Sequence, residues 1–186
     1  MSEPMQTSAH ATGGTSPGQA IGTIYQDTVA IWVRESVLDQ VLDYSEQDLN
    51  RELGGFLIGG LQQQRQAVDV RHFLPAVDTR SRHASLTFTH DTWSRMHREV
   101  QQSFPDDVVV GWHHTHPGFG IFLSGYDLFI QRNFFSEPWQ VALVVDPKRQ
   151  EFGFFQWRAG RVVDCGFVCV ADQEERIAHD GRNTDH

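Results

Sequence analysis

The order of apolar segments predicts an α/β (α+β) layered domain built on a mixed, twisted β-sheet flanked by helices. Two observations lead there. Short β-branched and aromatic runs, several bounded by glycine, recur along the chain, and three segments of helical periodicity are interleaved among them. A chain of 186 residues with five Trp and thirteen Phe has apolar volume for one substantial core and no room for a second catalytic domain.

Residues 1–25 are rich in Ser, Thr, Gly, Pro and Ala with little apolar periodicity. Such a segment cannot bury enough surface to offset the entropy of ordering, so a disordered leader is expected there. The folded domain is expected over 26–172, and 173–186 read as a flexible polar tail. Thr28 to Val33 is short, β-branched and aromatic, which predicts the opening strand. Ser36 and Asp39 have the spacing of a helix capping box, and Val37, Leu38, Val41, Leu42 and Leu49 recur at helical spacing as far as a break near Asn50. The run Leu53 to Gly60, bounded by glycines, is too short for a helix and reads as a buried strand with Glu52 at its entrance.

Segments 66–76 and 84–89 alternate like half-exposed strands, and Trp93, Met96, Val100 and Phe104 mark a second helix after Asp91 that ends before Pro105. A strand at Val108 to Trp112, a loop rich in Gly and His, and a third helix from Ser124 to about Phe135 follow. Strands near 139–145, 151–158 and 161–170 close the domain, with Asp146-Pro147-Lys148-Arg149 turning between the first two. Cys165 and Cys169 fall on the last strand, where a four-residue separation spans about 13 Å. They are too far apart to bridge and read as small buried thiols.

A formal charge of −9 with no Lys/Arg run argues against nucleic acid as the partner, because phosphate binding needs clustered cations. No basic start precedes an apolar stretch, and no segment approaches the roughly 18 apolar residues of a membrane span. The expectation is a cytoplasmic protein with no membrane role.

The chemistry concentrates in Gly111 to Asp127. At an extended strand end His114 and His116 share one face while His113 and Thr115 share the other. The Pro117-Gly118-Phe119-Gly120 loop can fold the first turn of the next helix back to the same place, where Asp127 adds a carboxylate. Two imidazoles and one carboxylate, with a position open for water, make the donor set of a catalytic rather than structural zinc ion. Ser124 and Asp127 also have the Ser-x-x-Asp spacing of a capping box, and the two roles can coexist. Other zinc motifs are absent: there is no His-Glu-x-x-His and no Cys-x-x-Cys pair.

The pattern His114-x-His116-x(7)-Ser124-x-x-Asp127, preceded by Gly111-Trp112 and by Glu52 before a Gly-rich apolar strand, resembles the JAMM motif of the JAB/MPN metallopeptidases. Leu123-Ser124-Gly125 and the Pro-Gly-Phe-Gly loop resemble the deubiquitinating members, and the order of elements agrees over about residues 26–170. The resemblance implies an MPN domain related in architecture to cytidine deaminases, with Zn²⁺ on His114, His116 and Asp127. It implies Glu52 as general acid/base and Ser124 as the donor to the oxyanion. His113 stands where the family commonly has Tyr, and Thr115 where Ser is usual; His113 reads as a half-buried strand histidine, with substrate contact as the alternative.

By the same resemblance the expected activity is hydrolysis of the amide or isopeptide bond after the C-terminal tail of ubiquitin or a ubiquitin-like protein. Activating or conjugating enzymes of that pathway would be further partners. Two other readings stand beside it: a peptidase acting on a sulfur-carrier protein or small amidated substrate, and a non-catalytic MPN scaffold, in which the metal ligands are typically lost.

Overall fold

A computed structural model describes residues 18–77, 80–82 and 85–172. Eleven strands and three helices follow in the order β1 (Gln19–Ile21), β2 (Ala30–Arg34), α1 (Glu35–Ser45), β3 (Gly54–Gln62), β4 (Ala67–Pro75), β5 (Arg80–Arg82), β6 (Ser85–Thr87), α2 (His90–Ser103), β7 (Val108–Thr115), α3 (Gly125–Phe134), β8 (Val141–Asp146), β9 (Glu151–Arg158), β10 (Arg161–Cys165) and β11 (Phe167–Val170). Nine strands form one mixed sheet in the order β1-β11-β2-β4-β3-β7-β8-β9-β10, while β5 and β6 pair with each other. The α+β class and the mixed, twisted sheet expected from the sequence are both present. Among the described residues no helix is long and apolar enough to cross a membrane.

Each face of the sheet carries its own apolar cluster. On one, Val37, Leu38 and Val41 of α1 pack over Val33, Leu57, Val68, Val70, Leu143 and Val145. On the other, Met96 of α2 and Ile130 of α3 pack over Phe56, Ile58, Trp112, Ala142 and Val144. The odd and even positions of β8 serve opposite clusters, so all six of its residues are buried, as in a central strand covered on both sides.

β7 departs from strict alternation at one place. Its pairing with β3 shifts between Leu57↔Gly111 and Ile58↔Val109, which leaves Val110 as an extra residue. This bulge sends Val110 to the α1 side, while Trp112, two positions on, faces α2 and α3. It therefore sets which face the histidines beyond it occupy.

Three expectations need correction. The first helix ends at Ser45 rather than near Asn50, and its N-cap is Arg34 with no side-chain cap. The Ser36–Asp39 box does not form: the Ser36 hydroxyl and N–H both donate to the carboxylate of Asp172 (2.6 and 3.0 Å). A carboxylate from the far end of the domain thus stabilises the positive helix start. Second, the run 161–170 is two strands, not one. It breaks at Gly166, whose N–H donates to the Thr23 carbonyl at 2.6 Å. β10 then lies at one edge of the sheet and β11 beside the other edge, so the sheet must curl until its ends approach. Cys165 and Cys169 sit on these different strands as free, half-buried thiols, and burial raises both, Cys165 to about 12. Third, Gln19–Ile21, inside the segment expected to be a disordered leader, pairs with β11. Residues 1–17 of that leader and the expected tail 173–186 lie outside the described residues.

Gly111 lies opposite Val141 in the β7–β8 pair, and a Cβ there would lie 2.2 Å from the Val141 carbonyl oxygen. Backbone cannot yield as a side chain does. Gly111→Ala is expected to cost about 1–3 kcal/mol or more by overpacking. Urea unfolding would check it, and unchanged stability would show that β7 and β8 part without penalty.

Candidate metal centre

Strand pairing brings distant residues together. Gly54 of β3 lies opposite His114 of β7 in an antiparallel register. Leu53 continues the pairing, its N–H donating to Thr115 Oγ1 (2.8 Å) and its carbonyl accepting from Thr115 N–H (2.9 Å). Glu52, one residue earlier, arrives beside His116, although more than sixty positions separate them in sequence. Alternation along β7 places His114 against Trp112, ring centroids 4.4 Å apart and nearly parallel. Trp112 is itself locked: its Nε1–H donates to Gln131 Oε1 (2.7 Å), and Gln131 Nε2 donates to the carbonyls of Phe135 and Gln140 (3.2 and 3.0 Å). This buried Gln, one turn beyond Asp127 on the inward face of α3, is a support the sequence reading passed over.

The loop that begins with Pro117–Gly120, together with α3, completes the cluster. Ser124 is the N-cap of α3, and the capping box forms in both directions: Asp127 N–H donates to Ser124 Oγ (3.1 Å) and Ser124 N–H to Asp127 Oδ2 (2.7 Å). That same Oδ2 faces both imidazoles. His114 Nε2 and His116 Nε2 are 3.1 Å apart, and they lie 3.3 and 3.2 Å from Asp127 Oδ2. All three residues are buried, and such a group could hold a metal ion. Ser124 Oγ accepts within the cap, which leaves its proton free to donate elsewhere.

The electrostatics follow from burial and contact. Burial works against ionisation of Asp127, yet hydrogen bonds to both imidazoles hold its carboxyl well below the usual range. Burial lowers His114, with Asp127 opposing, whereas at His116 burial is outweighed by Asp127 and Glu52 and the imidazole is raised. Glu52 is 7% exposed, and burial lifts its carboxyl above the ordinary value of 4.5 against the charge of His116. A buried carboxyl raised in this way, beside His116 and Asp127, has the kind of environment in which proton-transfer groups are found.

All five expected site residues therefore converge. His113 does not join them. It faces α1, fully buried, with Nε2 2.9 Å from Ser45 Oγ. The Ser45 hydroxyl donates to the Val41 carbonyl (2.7 Å), so it accepts from His113. The half-buried histidine expected here is a core residue, and burial pushes it down to about 3. A cavity of about 730 Å³ lined by Leu61, Trp139, Trp157 and Arg158 opens at the other end of the strands and holds none of the five, so volume does not mark this site. Ser45→Ala would leave His113 Nε2–H unpaired, and a loss of about 1–3 kcal/mol is expected with metal uptake unchanged. Thermal unfolding and metal analysis of that variant would check it; a fall in metal content would place His113 in the centre after all.

The sequence profile of the family described as JAB1/Mov34/MPN/PAD-1 ubiquitin protease matches residues 26–137. Among curated relatives, the 26S proteasome regulatory subunit RPN11 of Eremothecium gossypii is 30% identical over 148 residues, 78% of this chain and 47% of that one. The Saccharomyces cerevisiae protein named ubiquitin carboxyl-terminal hydrolase RPN11 is 39% identical over 74 residues, 39% of this chain and 24% of the relative. The COP9 signalosome complex subunit 5 of E. gossypii is 31% identical over 118 residues, 62% and 26% of the two chains. This chain spans less than half the length of each. The profile match covers Glu52 and the whole His114–Asp127 segment, and with the fold and the converging side chains it makes this chain a member of the JAB1/Mov34/MPN/PAD-1 family.

Proposed function

We propose that the chain is a zinc-dependent isopeptidase that hydrolyses the amide bond after the C-terminal tail of ubiquitin or a ubiquitin-like protein. The observation that carries this reading is the triangle of His114, His116 and Asp127, whose donor atoms are 3.1–3.3 Å apart. Tetrahedral zinc with bonds of about 2.0–2.1 Å keeps its ligand atoms about 3.3–3.4 Å apart, so the residues fit the ion with little movement. The donor set of two imidazoles and one carboxylate suits a catalytic ion with an open position. When bound, zinc supplies a Lewis acid and brings the pKa of water from 15.7 to about 7.

The protein's own groups do the rest. Glu52, buried and raised, takes the proton of the attacking water and returns it to the departing amine. Ser124 presents its hydroxyl proton to the oxygen that gains charge in the tetrahedral intermediate. β5 and β6 form a small separate sheet next to Glu52, whose carboxylate accepts from the Leu86 backbone. Such a strand pair suits an extended tail adding by backbone hydrogen bonds. The substrate class is supported by the yeast relative, a ubiquitin carboxyl-terminal hydrolase.

The decisive experiment compares wild-type protein with Glu52→Gln, matched for zinc, on ubiquitin joined through its C-terminal glycine to a reporter amine. One zinc per chain is expected in both, with hydrolysis about 10²–10⁴-fold slower in the variant. Purified protein that takes up no zinc, or a variant that cleaves like wild type, would sink the reading. Stability supplies a second readout with a definite sign. A carboxyl raised on folding keeps its proton longer in the folded state, so stability falls as pH climbs from the ordinary value of 4.5 through the raised folded one. Glu52→Gln removes that fall, so its metal-free form should melt no lower than wild type at neutral pH.

Ser124→Ala should keep its zinc, turn over at least about 10²-fold more slowly, and lose about 1 kcal/mol of helix capping. Rate and melting temperature must be measured on the same preparation. A stability loss with an unchanged rate would leave Ser124 as a cap only.

A further inference from the structure

Asp146 closes β8 and was expected only to open a turn. Its carboxylate is completely buried, and its nearest cation, Arg149 Nε, stands 3.6 Å away on a half-exposed side chain. Backbone N–H groups satisfy it instead. Oδ1 accepts from Lys148 and Arg149 (3.1 Å each), the bonds an Asp makes to its own tight turn. The other two bonds are of a different kind. Oδ1 accepts from Gly118 N–H and Oδ2 from Gly120 N–H, both at 2.8 Å, reaching back 28 and 26 residues into the metal loop. Burial would raise this carboxyl, but the four backbone bonds, those of Gly118 and Gly120 first among them, together hold it low.

Both glycines have positive φ, 82° and 86°, a conformation that L side chains rarely adopt. With its N–H fixed on Asp146, Gly120 turns its carbonyl to His116 Nδ1 at 3.3 Å. That contact places the ring proton on Nδ1 and leaves the Nε2 lone pair aimed at Asp127 and His114. The His116 backbone is held from the same strand, since its N–H donates to the carbonyl of Val145, the neighbour of Asp146 (2.8 Å). One strand end thus holds the main chain of His116 directly and its ring through one loop carbonyl.

We propose that Asp146 is a positioning residue of the metal centre: its carboxylate fixes the Pro117–Gly120 loop and, through the Gly120 carbonyl, the ring and tautomer of His116. The proposal rests on the metal reading above. It assigns the loop's order to the protein rather than to the ion, so the site is preformed before metal arrives.

The test is Asp146→Asn. An amide keeps the size of the carboxylate but turns one acceptor into a donor, which then faces a loop N–H. Zinc affinity, read by competition with a chromophoric chelator, should fall 10- to 100-fold, and the visible spectrum of the cobalt-substituted protein should change. Ser45→Ala serves as the control that loses stability without touching the loop, and its zinc affinity should match wild type. An Asp146→Asn affinity within twofold of wild type, with the same cobalt spectrum, would reduce Asp146 to a turn cap and overturn the proposal.

Should Asp146→Asn fail to fold, amide hydrogen exchange on the wild-type chain decides the matter. Gly118 and Gly120 N–H should exchange as slowly as the amides of β8, with zinc and after its removal by a chelator. Protection that disappears with the metal would show that the ion orders the loop, and would overturn the proposal. Wild-type protein that takes up no zinc would instead sink the metal reading, while the exchange of these two amides still reports whether Asp146 holds the loop.

Discussion

The antiparallel pairing of β3 with β7 is the constraint on which the centre depends. Because side chains alternate along a strand, a slip of one residue would exchange His114 and His116 for His113 and Thr115 on the metal face. The register Gly54↔His114 is therefore held from several directions. β8 pairs with β7 on its other side, His114 opposite Val144, the bulge at Val110 sets the phase of alternation, and Ser45 receives His113 on the opposite face. The same register is what delivers Glu52, since two residues before Gly54 on β3 corresponds to two residues beyond His114 on β7.

The centre gathers four ionisable side chains, Glu52, His114, His116 and Asp127, into a space where all are buried. Removing such groups from water is costly unless each is paired. Asp127 carries most of that compensation with one oxygen, which meets two imidazoles and the Ser124 N–H at the positive start of α3. Helix capping and the gathering of the two imidazoles are thus one arrangement rather than competing explanations for the same residues. Burial of Glu52 is compensated only in part, and its raised carboxyl is the kind of local cost that functional sites retain.

Rigidity around the cluster comes from the curled sheet. The break at Gly166 carries the chain from one edge, β10, to β11 near the other, so the nine strands wrap around the α1 cluster while α2 and α3 cover the outer face of β3, β7 and β8. Packed on both sides, β7 and β8 hold the histidines and the Asp146 carboxylate against one another with little freedom. Trp112, stacked on His114 and fixed by Gln131, extends that support to the imidazole plane.

Local signals were enough for much of this. Period-two and helical spacing gave the strands and helices because those patterns are properties of neighbouring residues, and β9 was expected over 151–158 and observed at Glu151–Arg158. Histidines two apart and a serine three before an aspartate likewise lie within one strand end and one helix turn, so their shared faces could be read directly, and the capping box at Ser124 formed as its spacing implied. Where a partner lay far along the chain, neighbours misled. Ser36 had the spacing of a cap with Asp39 but bonds Asp172; Asp146 had the look of a turn but also holds Gly118 and Gly120; and 162–170 had the hydrophobicity of one strand but is divided between opposite parts of a curled sheet. Alternation already set His113 on the face opposite His114 and His116; only the packing of α1, which brings Ser45 against His113, decided that this face is core. The sequence by itself determined which donors exist and which face one another within an element. Only tertiary structure decided which elements meet, because strand register and hydrogen bonding between remote segments depend on how the whole core packs.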